Sequence, residues 1–174
     1  MDINTKTPHA TWRSLGLAGI CTAVMLAVGR AAAQAGQCLA DKVITAAGSN
    51  PPHGAAMTPQ GTTDTVIGKI DLRQELSVGA SNRLLRLRRL ALKPGGVVPW
   101  HSHGNRPALI YIVEGKITEY ASTCAVPILH CAGETALETH ATAHWWKNNG
   151  HRPAVLLSAD LFPTAGENMD EHMM

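Results

Sequence analysis

Gly95-Gly96-Val97-Val98-Pro99-Trp100-His101-Ser102-His103 is the stretch on which the reading of this chain turns. Extended backbone points alternate side chains to opposite faces, so His101 and His103 leave the chain on the same side. Two imidazoles held in this way can share one metal ion. An isolated H-x-H pair is weak evidence in a chain with 9 histidines. Its surroundings strengthen it. Upstream, Leu84–Leu92 (LLRLRRLAL) alternates apolar and basic residues over part of its length, as a half-buried strand does. Lys93-Pro94-Gly95-Gly96 then reads as a turn that ends that strand.

The same pattern extends outward. Val66–Leu76 alternates in part, Ala108–Val113 is a nearly continuous apolar run, and Glu114-Gly115-Lys116 turns it into Ile117–Tyr120. Pro127–His130 and Ala154–Phe162 complete the strands. Short strands with frequent turns and no helical period predict an all-β sandwich or barrel. The 174 residues suffice for one domain. A composition of 45% hydrophobic and 16% charged residues supports a packed core, and the few aromatic residues make that core mostly aliphatic.

Two spaced motifs here resemble the cupin superfamily. Its first motif reads G-x5-H-x-H-x(3,4)-E-x6-G. Gly95, His101, His103 and Gly115 match it, and Ala108 stands at the Glu position. The second reads G-x5-P-x-G-x2-H-x3-N. Gly133, His144 and Asn148 match, with Thr139 and Ala141 at the Pro and Gly positions. The resemblance covers about residues 65–163 and implies a double-stranded β-helix, the jelly-roll barrel, with a metal or ligand site inside. The usual three-His, one-Glu set is reduced to His101, His103 and His144. Neutral imidazoles suit a divalent transition metal, Fe, Zn, Cu or Ni, and loss of the carboxylate disfavours Mn²⁺. A metal-free pocket is the alternative. Asn148 is a further contributor behind His144, and His140 is either a fourth ligand or a surface residue. Arg106, Trp100 and Tyr111 flank the histidines and are expected to contact a small-molecule ligand, against surface or packing roles. Trp145 and Trp146 should face opposite sides, so at most one lines the interior. Arg83, Arg86, Arg88 and Arg89 read as a solvated strand face.

The first 35 residues have the form of a secretory signal. Lys6 and Arg13 precede the uncharged run Leu15–Gly29, and Ala33 and Ala35 make an A-x-A cleavage site. The expected domains are therefore a signal peptide (1–35), an extended arm (36–63), a cupin domain (64–164) and a loose tail (165–174). The mature chain keeps 12 basic and 12 acidic residues, which gives no electrostatic reason to expect nucleic acid. Periplasmic or secreted location, no membrane contact after cleavage and a homodimer complete the expectation. Cys124 and Cys131 are either a disulfide or two buried thiols, with Cys38 left over. The functional expectation is metal-dependent oxygenase or isomerase chemistry on a small organic molecule; the alternative is a cupin module that binds metal or metabolite without turnover.

Overall fold

The computed structural model describes residues 36–45, 48 and 50–164; the expected signal and tail lie outside them. Eight strands follow in order: β1 (Gln60–Asp71), β2 (Arg83–Ser102), β3 (Ala108–Glu114), β4 (Lys116–Ala121), β5 (Ile128–Cys131), β6 (Thr135–Glu138), β7 (Ala143–Lys147) and β8 (Ala154–Pro163). Helical structure among the described residues is confined to three short 3-10 turns. The strands join in the order β5-β4-β7-β2-β8-β3-β6, and β1 also pairs with β2. This is the expected jelly roll.

β2 is the hinge of the architecture. Its first half, Arg83–Leu92, pairs with β8. Its second half, Val97–Ser102, pairs with β7. The Lys93-Pro94-Gly95-Gly96 segment is thus a corner inside one 20-residue strand, where β2 changes partner from β8 to β7, and not the strand-ending turn its sequence suggests. Glycine makes the corner possible. Gly95 has φ +77°, and a Cβ on Gly96 would lie 2.8 Å from the Lys93 carbonyl oxygen. Asn148 locks the corner. Its backbone N–H donates to Gly96 O, and its Nδ2 donates to Leu92 O and Arg152 O at 3.1 and 2.8 Å. Asn148 is therefore a backbone clamp rather than a support for His144.

Period-two alternation assigns the faces. Leu90 and Leu92 are buried in the core with Val98, Ile110, Ile112 and Leu156. The same alternation carries Arg88 inward, leaving it 5% exposed, and turns Leu85 and Leu87 outward at 39% and 38%. The arginine cluster is thus not one solvated face: Arg89 is exposed, while Arg88 is inside. Burial of Leu90 and Leu92 stabilises this register by about 1.5–3 kcal/mol per side chain, and a one-residue slip would expose both.

The segment before β1 is docked as well as extended. Val43 bridges to Cys124, and Ala125 N–H donates to Lys42 O. Cys38 and Cys124 form a disulfide with Cα atoms 5.7 Å apart. Cys124 is therefore neither bonded to Cys131 nor a free thiol, and Cys38 is not left over. Cys124 and Cys131 are close in sequence, but β5 carries Cys131 away, opposite Lys116. β1 begins at Gln60, inside the stretch expected to be arm.

Gly115, in the β3–β4 turn, has φ +77°, and a Cβ there would sit 2.5 Å from Pro153 O. Gly115→Ala should destabilise the protein by about 2 kcal/mol or more, through both strain and overlap. Gly68→Ala, where an added Cβ meets nothing within 4 Å, should change stability little. Urea unfolding of both variants checks this, and equal midpoints would contradict it.

Candidate metal centre

β2 and β7 set His101 directly opposite His144. β2 also leads into His103, whose backbone N–H donates to Thr142 O at 2.8 Å. The three Nε2 atoms form a nearly equilateral triangle: His101–His103 3.1 Å, His103–His144 3.0 Å and His144–His101 3.1 Å. His103 and His144 are buried, and His101 is partly open.

The other ring nitrogens explain what the triangle is for. His101 Nδ1 lies 2.8 Å from Pro99 O, and His103 Nδ1 lies 2.8 Å from Arg106 O. His144 Nδ1 lies 2.7 Å from Glu119 Oε1. Each of these oxygens only accepts, so each Nδ1 carries a proton and donates it. Three Nε2 lone pairs then converge with no proton between them. Such a trio repels itself unless a cation sits among the lone pairs. Donors about 3 Å apart suit one ion with bonds of about 2.0–2.1 Å. On this ground the donor set fits a transition metal.

The electrostatics agree for His101 and His103. Burial and the neighbouring rings push His101 well below its ordinary pKa. Burial, with His144 and Arg106, pushes His103 down to about 2. Both are neutral, the form in which imidazole binds metal. Burial also works against His144⁺, but Glu138 and Glu119 outweigh it and raise that pKa. Glu119 lies between two imidazoles, with His130 Nε2 2.9 Å from its second oxygen. Burial alone would raise the Glu119 pKa; the hydrogen bonds from His130 and His144 hold it at about 2 instead. Glu138, 3.4 Å from His144 Nδ1, is pushed up to about 7, mainly by burial. Glu119, Glu138 and His144 form a second group whose ligand atoms lie within 4.8 Å of one another. Trp146 Nε1 approaches both His144 nitrogens, at 3.1 and 3.3 Å, while Glu119 is the closer partner of Nδ1.

Sequence reasoning missed Glu119, Glu138 and His130, because no motif spacing connects them to the histidines. They lie on β4, β6 and β5, and only strand pairing brings them behind His144. Ala108 has cross-strand partners Glu138 and Asp160, both buried carboxylates. Those neighbours set carboxyl groups beside the position where the motif has its own Glu.

The triangle lines a cavity whose empty space is about 330 Å³ including its mouth. Its enclosed part admits about one or two water-sized groups. Arg88 and Ser158 line it with the histidines, against an apolar wall that includes Trp146 and Leu156. The expected ligand contacts lie elsewhere. Arg106 is fully buried, 3.5 Å from Asp160 Oδ2. Tyr111 is 45% exposed, because alternation along β3 turns it away from the inward-facing Ile110 and Ile112. Trp100 is half-buried and outside the cavity lining. His140 is exposed and lines a separate groove with Arg83 and Asn105. Trp146 is the inward one of the tryptophan pair, and Trp145 stacks on Tyr120 at 4.0 Å.

A jelly roll with converging inward histidines defines the class: a small β-barrel with a candidate metal centre. Residues 88–160 match the family model Cupin_2, described as a cupin domain, so this part of the chain is similar to the cupin superfamily. It is 27% identical to Nectarin-1 of Nicotiana langsdorffii x Nicotiana sanderae over 109 residues, 60% of this chain and 48% of that protein. It is 31% identical to Germin-like protein subfamily 2 member 2 of Arabidopsis thaliana over 84 residues, 47% of this chain and 38% of that one. The chain spans about half the length of the curated relatives it matches, or less. Among solved structures, TT1209 from Thermus thermophilus aligns with a TM-score of 0.48 and 20% identity, over 63% of this chain and 90% of that one.

Glu119→Gln keeps the shape but offers an amide where two imidazoles need carboxylate oxygens. Metal affinity, measured by chelator competition, should fall about 10–100-fold. Unchanged affinity would remove Glu119 from any role in holding His144.

Proposed function

We propose that this is an exported, metal-dependent cupin that acts on a small organic molecule inside the barrel, with His101, His103 and His144 as the metal's protein ligands. One observation carries the reading: three Nε2 atoms 3.0–3.1 Å apart, each on a ring whose Nδ1 faces an oxygen acceptor. The metal would be Fe, Zn, Cu or Ni, in keeping with an all-imidazole donor set. When bound, it supplies Lewis acidity or O₂ activation, the chemistry of an oxygenase or isomerase. The protein's part is to keep His101 and His103 neutral, to fix the tautomers through Pro99 O, Arg106 O and Glu119, and to shield the reacting groups with an apolar wall. A module that binds without turnover would use the same centre, and the small enclosed space is the observation in its favour. Turnover of a substrate panel by loaded protein separates the two.

Two features support export. The sequence of residues 1–35 has signal form, and a Cys38–Cys124 disulfide suits an oxidising compartment. No described helix is long and apolar enough to cross a membrane. Protein purified from its native compartment should begin at Gly36 or Gln34 by mass spectrometry and carry about one transition-metal ion per chain. His101→Ala and His144→Ala should each lower metal occupancy at least about tenfold, since losing even a supporting partner costs roughly that much. Wild-type occupancy in both variants would refute the three-His centre, and an intact Met1 in a soluble cytoplasmic pool would refute export.

The proposal extends to a homodimer through β1. Among the described residues this strand pairs only with β2, and Val66, Ile67 and Ile70 are 46%, 52% and 49% exposed on it. An edge strand with exposed apolar residues is a pairing surface. Light scattering at micromolar concentration should give twice the mature mass, and Ile67→Lys should shift it toward one chain. A single-chain mass for the wild type would end this part of the proposal.

A further inference from the structure

The arm meets the barrel wall at Gly36, whose backbone N–H donates to Leu129 O at 2.9 Å. Gly36 has φ +81°, and a Cβ there would lie 3.0 Å from Glu134 Oε2 and 3.4 Å from His130 Nδ1. Only glycine brings the chain this close to both groups without strain. Two residues on, the Cys38–Cys124 disulfide pins the segment. His130 is 1% exposed. Its Nε2 lies 2.9 Å from Glu119 Oε2, and its Nδ1 is sealed from water with no hydrogen-bond partner. The Glu119 carboxylate only accepts, so it takes the Nε2 proton, and the neutral ring presents a bare Nδ1 lone pair. A buried acceptor left without a donor is costly. Glu134 Oε2 accepts from Cys131 N–H at 2.7 Å and keeps further lone pairs. Lys116, opposite Cys131 on β4, is exposed.

Three acceptors thus stand beside a chain nitrogen that, as an amide, has one proton and spends it on Leu129 O. Cleavage after Ala35 turns that nitrogen into an ammonium group with three protons and a positive charge. We propose that Leu129 O, Glu134 and His130 Nδ1 form a docking site for the α-ammonium group of Gly36, and that the docked terminus braces the His130–Glu119 pair behind His144. The inference rests on the export reading, and it requires the cleavage point before Gly36. A chain that began at Gln34 would leave Gly36 an amide, with no proton for Glu134 or His130. The match is in number and in sign: three donors meet three acceptors, and a cation meets a carboxylate. The brace runs from His130 Nε2 to Glu119 Oε2, and from Glu119 Oε1 to His144 Nδ1. Gly36 is thus a positioning residue that acts on the metal centre through two others.

The test compares a chain that begins at Gly36 with one that keeps Ala35, and adds Glu134→Gln to the Gly36 chain. Acylation of the terminal amine by acetic anhydride across pH, read by peptide mass spectrometry, reports its titration. In the Gly36 chain the midpoint should lie about one unit above the ordinary α-amino value of roughly 7.7–8.0, because Glu134 favours the charged form. The Ala35 chain and Glu134→Gln should both return to the ordinary value. Restricted access alone would slow acylation at every pH and leave the midpoint in place. Chelator competition with Zn²⁺ reads the brace: the Ala35 chain should bind about tenfold more weakly than the Gly36 chain. An ordinary midpoint in the Gly36 chain, or equal Zn²⁺ affinity in the two chains, would overturn the inference. Native protein that begins at Gln34 would overturn it while export stands. A raised midpoint in a chain that binds no metal would support the docked terminus while the three-His reading fails.

Discussion

Everything in this barrel depends on the register of one strand. β2 runs unbroken for 20 residues and joins β7 to β8 in the sheet, so its pairing with β8 and with β7 must be satisfied together. Leu90 and Leu92 anchor the first half in the core, and the glycine corner at 95–96 sets how the second half meets β7. Once these are in place, alternation decides the rest. His101 faces His144 across the ladder, and Arg88 faces Ser158. The strand that closes the fold is thus the strand that builds the cavity. A slip of one residue would lose the core, the triangle and the arginine at once.

The interior is unusually polar for so small a barrel. Buried charged or titratable groups fall into two layers. On one side Asp160 serves Arg86, Arg88 and Arg106. On the other Glu119 ties His144 to His130, with Glu138 beside them. Burying such groups costs several kcal/mol each unless they are paired, and packed apolar residues would often be more stable. A layer of this kind is best understood as serving the cavity inside the barrel. The Glu119 layer keeps His144 oriented with its proton on Nδ1, and the Asp160 layer keeps a guanidinium at the cavity wall.

The alanine at position 108 takes its meaning from this arrangement. Its strand neighbours are Glu138 and Asp160, already committed to His144 and to the arginines. A third carboxylate there would meet two others in a buried space, and like charges held close raise one another's pKa. The residue therefore marks a redistribution of acidic groups around the centre. Glu119 stands behind His144 and accepts a hydrogen bond from its Nδ1, with Glu138 3.4 Å from the same nitrogen, rather than at the triangle itself.

Much of this was legible before any coordinates. The strand class followed from alternation and turns, and the pairing of His101 with His103 from a period of two. His144 entered through a second motif at the proper separation, and the opposite facing of Trp145 and Trp146 from their adjacency. Each of these is a local or short-period property of the chain. What tertiary structure decided was whatever depends on strands distant in sequence. Cys38 pairs with Cys124 because the arm folds back onto the turn after β4. Glu119 and His130 reach His144 because β4 lies between β5 and β7. The basic alternation of Leu84–Leu92 looked like a wet face because arginine prefers water. The core selected the opposite phase, since burying Leu90 and Leu92 outweighs drying Arg88 once Asp64 and Asp160 stand near it. A periodic pattern tells which residues share a face; only packing tells which face is inside.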